Sequence, residues 1–241
     1  MKKYIAPAVA LAAALAIPTA AQATVTQDFT ISASPAKAST SKKKVPITLS
    51  VSTGTKDDTG AQPPTTKAAT LFFPKGSVWN GNLFPTCKAS VIDGAKSTED
   101  CPSGSIVGSG KAAGLAPGPI TQNDLKITVA NGGKSVVNMF VEGTSPLRIQ
   151  SNIEAKVSYA KGGVKLYVPI PTNLQEPAPG VPVAITLFSV KVGKSAKIKG
   201  QKRGIIEVNK CDGGKWSGNG TFDYVNAPSI DVERSIKCSK G

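Results

Sequence analysis

Hydrophobic and polar residues alternate with a period of two along much of this chain. Between residues 147 and 159 the odd positions are almost all apolar, and the even positions are all polar. Because successive side chains of a β-strand point to opposite faces, this pattern predicts a strand with one buried face. Shorter runs of the same kind predict strands at residues 47–52, 125–129 and 216–224.

Turn signals separate the strand-like segments. Gly-Gly pairs follow Asn131, Lys161 and Asp212, and each pair lies between two strand-like runs, as hairpin turns do. After residue 23 no segment predicts a helix longer than two turns. Many short strands between regular turns predict an all-β fold, an antiparallel β-sandwich of the immunoglobulin-like or jelly-roll-like type. Further strand candidates are residues 25–32, 67–73, 135–142, 164–170, 182–192 and 205–209.

Two segments have the composition of long loops. Residues 54–67 are polar and contain two prolines, and residues 172–182 are rich in proline. The second segment fits either a linker or a crossover between sheets. We expect residues 24–241 to form a single β-sandwich domain, because the strands on the two sides share no repeat and neither half has a clear boundary.

The first 23 residues have the three parts of a secretory signal peptide. Lys2 and Lys3 form a basic start, an apolar run covers residues 5–17, and Ala21-Gln22-Ala23 matches a cleavage site. We therefore expect a signal-peptide helix at residues 1–23 and a secreted, extracellular product. Outside the cytosol, the four cysteines can be oxidised.

Composition excludes several kinds of chemistry. The chain has no histidine, so it lacks the imidazole of Ser-His-Asp and Cys-His systems and the commonest transition-metal ligand. We expect no catalytic site, no metal and no cofactor. The net charge of +14 comes mainly from lysine, because the only arginines are Arg148, Arg203 and Arg234. Dispersed lysine favours diffuse attraction to polyanions over specific recognition of nucleic acid.

Four cysteines form a candidate disulfide framework, and sequence alone leaves three pairings open. We expect the two local bridges, Cys87–Cys101 and Cys211–Cys238, because each closes a short, turn-rich segment. The chain has no Cys-x-x-Cys, the usual motif of exported redox sites. The bridges are therefore expected to be structural.

The cysteines belong to a wider pattern. Phe84-Pro85-Thr86-Cys87 is followed by Cys101-Pro102 and by Val107-Gly108-Ser109-Gly110, and Cys211, Trp216 and Cys238 come later. In these motifs, residues 71–238 resemble a group of exported actinobacterial proteins with no assigned activity. The resemblance implies export, a β-rich fold and the two local disulfides, and it implies no functional residues.

The densest basic segment is the first candidate binding site. It has six cations in 13 residues and no acid: Lys191, Lys194, Lys197, Lys199, Lys202 and Arg203. One interpretation is a ribbon that binds polyanions. The other is an edge hairpin whose lysines prevent pairing with other sheets.

Two further features have competing interpretations. Trp79 lies in a turn-like context, where it would either stack on a sugar ring or anchor a loop on the core. Residues 104–111 resemble a phosphate-binding loop but lack its first Gly and its final Ser or Thr. We expect a Gly-rich strand and turn there.

The sequence therefore predicts an exported, non-enzymatic protein that has a binding or structural role at the cell envelope through its lysine-rich surface. Its expected partner is an anionic envelope polymer or another envelope protein. One alternative is an adhesion or assembly module. Another is a histidine-independent hydrolase that acts on carbohydrate with a pair of carboxylates, although the acidic residues are few and scattered.

Overall fold

A computed structural model of the chain describes residues 24–38, 43–118 and 120–240. The predicted signal peptide, residues 1–23, lies outside the described residues. The strands are β1 (Val25–Ser34), β2 (Lys37–Ala38), β3 (Val45–Pro46), β4 (Thr48–Asp57), β5 (Thr66–Phe72), β6 (Ser77–Trp79), β7 (Ile106–Ala116), β8 (Ile120–Asn131), β9 (Val136–Gly143), β10 (Ile149–Ala160), β11 (Gly163–Pro169), β12 (Ala184–Val192), β13 (Ser195–Ile198), β14 (Gln201–Gly204), β15 (Ile206–Val208), β16 (Lys215–Tyr224), β17 (Ile230–Lys237) and β18 (Ser239–Lys240).

Helices are short. They are α1 (Ala89–Ala95), α2 (Thr172–Gln175) and two 3₁₀ turns, Gly81–Leu83 and Asp212–Gly214. In the described ranges none exceeds two turns, as the sequence predicts. Within the same ranges, no helix is long and apolar enough to cross a membrane.

Eleven strands form one antiparallel sheet in the order β1-β4-β12-β7-β8-β9-β10-β11-β5-β16-β17. The two edge strands, β1 and β17, pack against each other although no ladder joins them. Next to this seam, Phe29 of β1 meets Phe222 of β16 edge-to-face, with ring centroids 6.2 Å apart. The all-β antiparallel prediction is confirmed. The two apolar layers of the expected sandwich are opposite walls of one continuous sheet, which curls almost into a barrel.

The connections settle several predicted turns and loops. The turns after Asn131 and Lys161 join the paired strands β8–β9 and β10–β11, so these two hairpins are confirmed. The third predicted hairpin is wrong, because the turn at Asp212 links β15 and β16, which lie in different sheets. The segment 172–182 is a crossover within the main sheet and not between two sheets, since it joins β11 to β12 across four intervening strands of that sheet.

The predicted loop at residues 54–67 is shorter than expected. Strand β4 continues to Asp57, which pairs with Val25, and the loop covers residues 58–65. The polar composition of residues 54–57 suggests a loop. Their backbone nevertheless pairs with β1, and the Thr55 side chain faces the interior, where it is 1% exposed.

The Gly-rich segment at residues 104–111 lies largely within β7, and its glycines permit the close approach of β7 to β12. A Cβ added to Gly108 would lie 2.4 Å from the carbonyl oxygen of Lys191, and one added to Gly110 would lie 2.2 Å from that of Ser189. Only glycine allows β7 and β12 to approach in this way. The resemblance to a phosphate loop therefore has a structural cause.

Both local disulfides are confirmed. The bridge Cys87–Cys101 closes 14 residues around α1, and the bridge Cys211–Cys238 fastens the end of β17 to the turn before β16. Ile92 of α1 packs on the outer face of β9 against Phe140, and both side chains are at most 2% exposed. The first bridge therefore holds α1 against the outer face of the main sheet.

Candidate functional site

The curled sheet encloses an apolar cavity. Its volume is about 120 Å³. A single water needs roughly 10–15 Å³, so the space corresponds to about ten water-sized particles. Protein cores are normally packed without voids of this size. The interior of the curled sheet therefore departs from ordinary core packing.

The alternation that predicts the strands also lines the cavity. Val51 of β4, Val157 of β10 and Val164 of β11 belong to the inward-facing positions. In β12 a bulge between Ile185 and Leu187 shifts the inward face from odd to even positions, so Phe188 and Val190 also border the space. Both of these side chains are only half-buried, because part of their surface faces the cavity.

A small polar cluster belongs to the same lining. The Gln27 Oε1 atom accepts hydrogen bonds from Thr55 Oγ1, at 2.8 Å, and from the Tyr224 hydroxyl, at 2.5 Å. The Gln27 amide nitrogen donates to Thr53 Oγ1 and to the Asp28 carbonyl. Burial raises the pKa of Tyr224, so its hydroxyl stays protonated. The cluster satisfies its own hydrogen bonds, and the remaining lining residues are apolar except for Thr66 and Ser77.

A basic groove lies beside this cavity. It has a volume of about 280 Å³ and is bordered by four lysines, Lys75, Lys161, Lys210 and Lys215. Asp212 is the one acidic residue among its described lining residues. The groove is thus a region of concentrated positive charge, in contrast to the uncharged interior.

The groove lies where the wall of the sheet opens. The ladder between β5 and β16 ends at the pair Phe72–Asn219, whereas β16 itself begins at Lys215. Residues 215–218 pair only with β17, and beyond Phe72 the chain continues its pairing with β11 alone, since the Phe73 N–H bonds the Val164 carbonyl. Pro74 has no N–H to donate. We call this gap between residues 73–75 and residues 215–218 the lateral slit.

The lateral slit adjoins both spaces. Phe73, Pro74 and Trp216 border the apolar cavity and the basic groove alike. On the outer side, Lys161 lies over the ring of Phe72 with its Nζ 4.7 Å from the ring centroid, and Lys165 lies over the same ring at 5.6 Å. These cation–π contacts hold Lys161 at the rim of the slit.

Trp79, the predicted aromatic candidate, lies in the core. Its side chain is 7% exposed, and the indole N–H donates to the Gly133 carbonyl at 2.8 Å. The ring is thus buried away from the outer surface, in the position of a loop anchor, and it borders the apolar cavity.

The predicted basic segment is divided among several structural roles. Lys191 lies on the outer face of β12, and the Lys194 ammonium donates to the Ile106 carbonyl at 3.3 Å. The strands β13 and β14 form a hairpin outside the main sheet, with Lys197 directly opposite Lys202 and Lys199 in the turn. These three hairpin lysines are exposed.

Arg203 requires a correction. Its guanidinium makes two hydrogen bonds with the Glu207 carboxylate, Nε to Oε1 at 2.9 Å and a terminal nitrogen to Oε2 at 3.0 Å. Glu207 is fully buried and lies just beyond the segment that the sequence analysis considered. Arg203 is thus engaged inside the protein and does not belong to a free basic surface.

Burial would raise the pKa of Glu207, but hydrogen bonds hold it below its ordinary value. The donors are Arg203, the Gly204 N–H at 2.9 Å and the Asn80 side chain. The carboxylate is therefore ionised and fully partnered, which suits a structural role.

The sequence analysis predicted neither the basic groove nor the lateral slit. The four lysines of the groove come from four separate loops or strand ends, and only Lys210 and Lys215 are close in sequence. No local motif could have indicated that they meet. Among the described residues, no three Cys, Asp or Glu side chains come together to hold a metal ion.

Comparison of the chain with protein-family models, with curated proteins and with solved structures finds no match.

Proposed function

We propose that this is an exported, non-catalytic binding protein that holds a small, largely apolar molecule inside its curled sheet. The observation that carries the proposal is the cavity, which is bordered by aliphatic and aromatic side chains from opposite walls. Ligand sites are concave and mostly apolar, with a few placed polar groups. The cavity has the apolar character, and the polar atoms of Gln27 on its wall are already partnered by Thr55 and Tyr224.

The size of the cavity limits the ligand. Space for about ten water-sized particles suits a chain or ring system with roughly ten non-hydrogen atoms. Burial of each methylene contributes about 0.8 kcal/mol, so the affinity for straight-chain alcohols should rise about fifteenfold from octanol to decanol. Once the cavity is full, further methylenes should add little.

A cavity-filling variant tests this proposal. Val190 borders the cavity and is half-buried, so Val190→Phe places extra volume in the empty space. We expect this variant to lose decanol binding in calorimetric titration and to keep its thermal unfolding temperature. The matched control is Ser189→Phe, whose side chain lies on the outer face of the same strand. Failure of all three alcohols, octanol, decanol and dodecanol, to bind the wild-type protein would refute the proposal.

Export is part of the proposal. It is supported by the signal-like residues 1–23 and by the two disulfides, which are typical of oxidising compartments.

The exposed hairpin lysines favour a second function, weak attachment to an anionic envelope polymer. Lys197 and Lys202 are directly opposed, an arrangement that costs stability in the absence of a counter-charge. We expect binding to polyglycerol phosphate to weaken as salt rises and to fall in a Lys197→Gln/Lys202→Gln variant. Binding of equal strength at low and high salt would contradict this function.

A further inference from the structure

The basic groove and the apolar cavity meet at the lateral slit, and this junction has the two chemistries of an amphiphile. The groove carries Lys75, Lys161, Lys210 and Lys215, while the cavity behind it is lined by carbon. Phe73, Pro74 and Trp216 form the boundary between them. A molecule with an anionic head and a short alkyl tail would match both parts at once.

We propose that the lateral slit is the ligand entrance and that it selects an anionic amphiphile. The carboxylate, phosphate or sulfate head binds in the basic groove, and the tail passes between Pro74 and Trp216 into the cavity. This inference rests on the proposed function and adds to it the class of ligand and the route of access.

The described lining of the groove has four lysines against one acid, Asp212, and none of the four lysines is in an ion pair with a described residue. No carboxylate of the described residues lies within ion-pair distance of Lys75, Lys161, Lys210 or Lys215, and all four side chains are exposed. Elsewhere the protein does pair its cations, as Lys126 does with Glu142 at 3.2 Å. An anion among these lysines would relieve their mutual repulsion, and lysine ammonium groups are effective point-charge partners for phosphate.

The slit provides a passage that does not require a ladder to be broken. Pro74 cannot donate a hydrogen bond, and the four residues 215–218 already have β17 as their strand partner. Opening this gap further therefore moves the side chains of Phe73 and Trp216 but breaks no β5–β16 backbone pair. Along the ladders of the main sheet, an alkyl chain would have to separate two hydrogen-bonded strands; the seam between β1 and β17 also lacks a ladder, but it does not adjoin the basic groove.

The hairpin lysines offer a less suitable anion site for an amphiphile. Lys197, Lys199 and Lys202 are exposed on a two-stranded hairpin outside the main sheet, and none of them borders the cavity. They are suited to a polymer in solution, whereas the groove lysines adjoin an apolar interior. This difference makes the hairpin a matched control, with the same number of charges removed at another place.

The test compares three ligands with one tail length: decyl phosphate, decanoate and decanol. Titrations at neutral pH and low salt should show both anions binding at least about tenfold more tightly than decanol to the wild-type protein. In Lys161→Gln/Lys215→Gln, which removes one lysine from each side of the slit, the anions should bind within about threefold of decanol. Decanol binding should not change in this variant. Lys197→Gln/Lys202→Gln should bind all three ligands as the wild type does.

The other outcomes would each contradict either the inference or the proposed function. Equal binding of decyl phosphate and decanol by the wild type would overturn the inference and leave the apolar-ligand function intact. Absence of binding by all three ligands would refute the proposed function itself. Inorganic phosphate that binds as tightly as decyl phosphate would show an anion site unconnected to the cavity, and this too would overturn the inference. Thermal unfolding of both double variants checks that they fold like the wild type.

Discussion

The buried Glu207 carboxylate accepts two parallel hydrogen bonds from Arg203, a cation of the basic segment that pairs with this buried acid. The pair joins the hairpin strand β14 to β15, four residues further along the chain. Removal of one partner from a buried pair leaves an uncompensated charge, whose cost is several kcal/mol. This relationship gives the first prediction.

Arg203→Gln should destabilise the protein by about 3 kcal/mol at neutral pH. In the wild type the folded-state pKa of Glu207 lies below its ordinary value of 4.5, so its stabilisation is present above pH 4.5 and is lost as the pH falls through the lower folded-state value. In the variant, burial raises the pKa of Glu207 instead. The cost should therefore be larger at pH 7 than at pH 4, as urea unfolding at the two pH values can measure.

Arg234→Gln is the control for this prediction, because Arg234 is exposed and makes no described ion pair. We expect it to change the free energy of unfolding by less than about 0.5 kcal/mol at either pH. A cost for Arg203→Gln that does not depend on pH would argue against an ionised Glu207 in the folded protein.

The close approach of β7 and β12 predicts that Gly110 tolerates no side chain. In Gly110→Ala the new methyl group would lie 2.2 Å from the Ser189 carbonyl oxygen, so the two strands must separate. We expect a loss of roughly 2 kcal/mol in denaturant unfolding.

Gly94→Ala is the matched substitution in open space. A Cβ at Gly94, in α1, would meet nothing within 4 Å, and alanine is the better helix former. We expect this variant to be as stable as the wild type or slightly more stable. If both glycine variants had the same free energy of unfolding, the close approach of β7 and β12 would not require glycine at position 110.

Asn131 connects the end of β8 to the segment before α1. Its side-chain amide donates to the carbonyls of Gly81, at 2.8 Å, and Pro85, at 2.9 Å, and it is fully buried. Asn131→Asp would face these carbonyls with a carboxylate that has no proton to donate. We expect the free energy of unfolding to fall by about 3 kcal/mol near neutral pH, as thermal unfolding can measure. Asn226→Asp, at an exposed turn, should change it little.

The two disulfides should contribute similar amounts to stability. Loop-closure estimates give about 3 kcal/mol for Cys87–Cys101 and about 3.5 kcal/mol for Cys211–Cys238, from their separations of 14 and 27 residues. Paired Cys→Ser variants of each bridge, compared by guanidinium unfolding, should show these losses. A bridge whose removal costs nothing would have no part in holding the fold.

Local patterns predicted the strands and some of the turns well. The alternation at residues 147–159 matches β10 (Ile149–Ala160) closely, and the turns after Asn131 and Lys161 are hairpins. Strand β17 (Ile230–Lys237) was not predicted, because charged residues interrupt its apolar positions. Its place is set by pairing with β16 and by packing on β1, at the opposite end of the sheet order.

The sequence by itself determined most of the longer strands and the apolar side of each, and it favoured the two local cysteine pairings without deciding between the three possible sets. The strand pattern depends on neighbouring residues, and a period of two expresses it directly. The tertiary structure alone decided that the strands form one curled sheet with an apolar cavity and a slit beside four lysines. Sheet closure and the meeting of Lys75, Lys161, Lys210 and Lys215 depend on pairings between segments far apart in the chain, which no local pattern records.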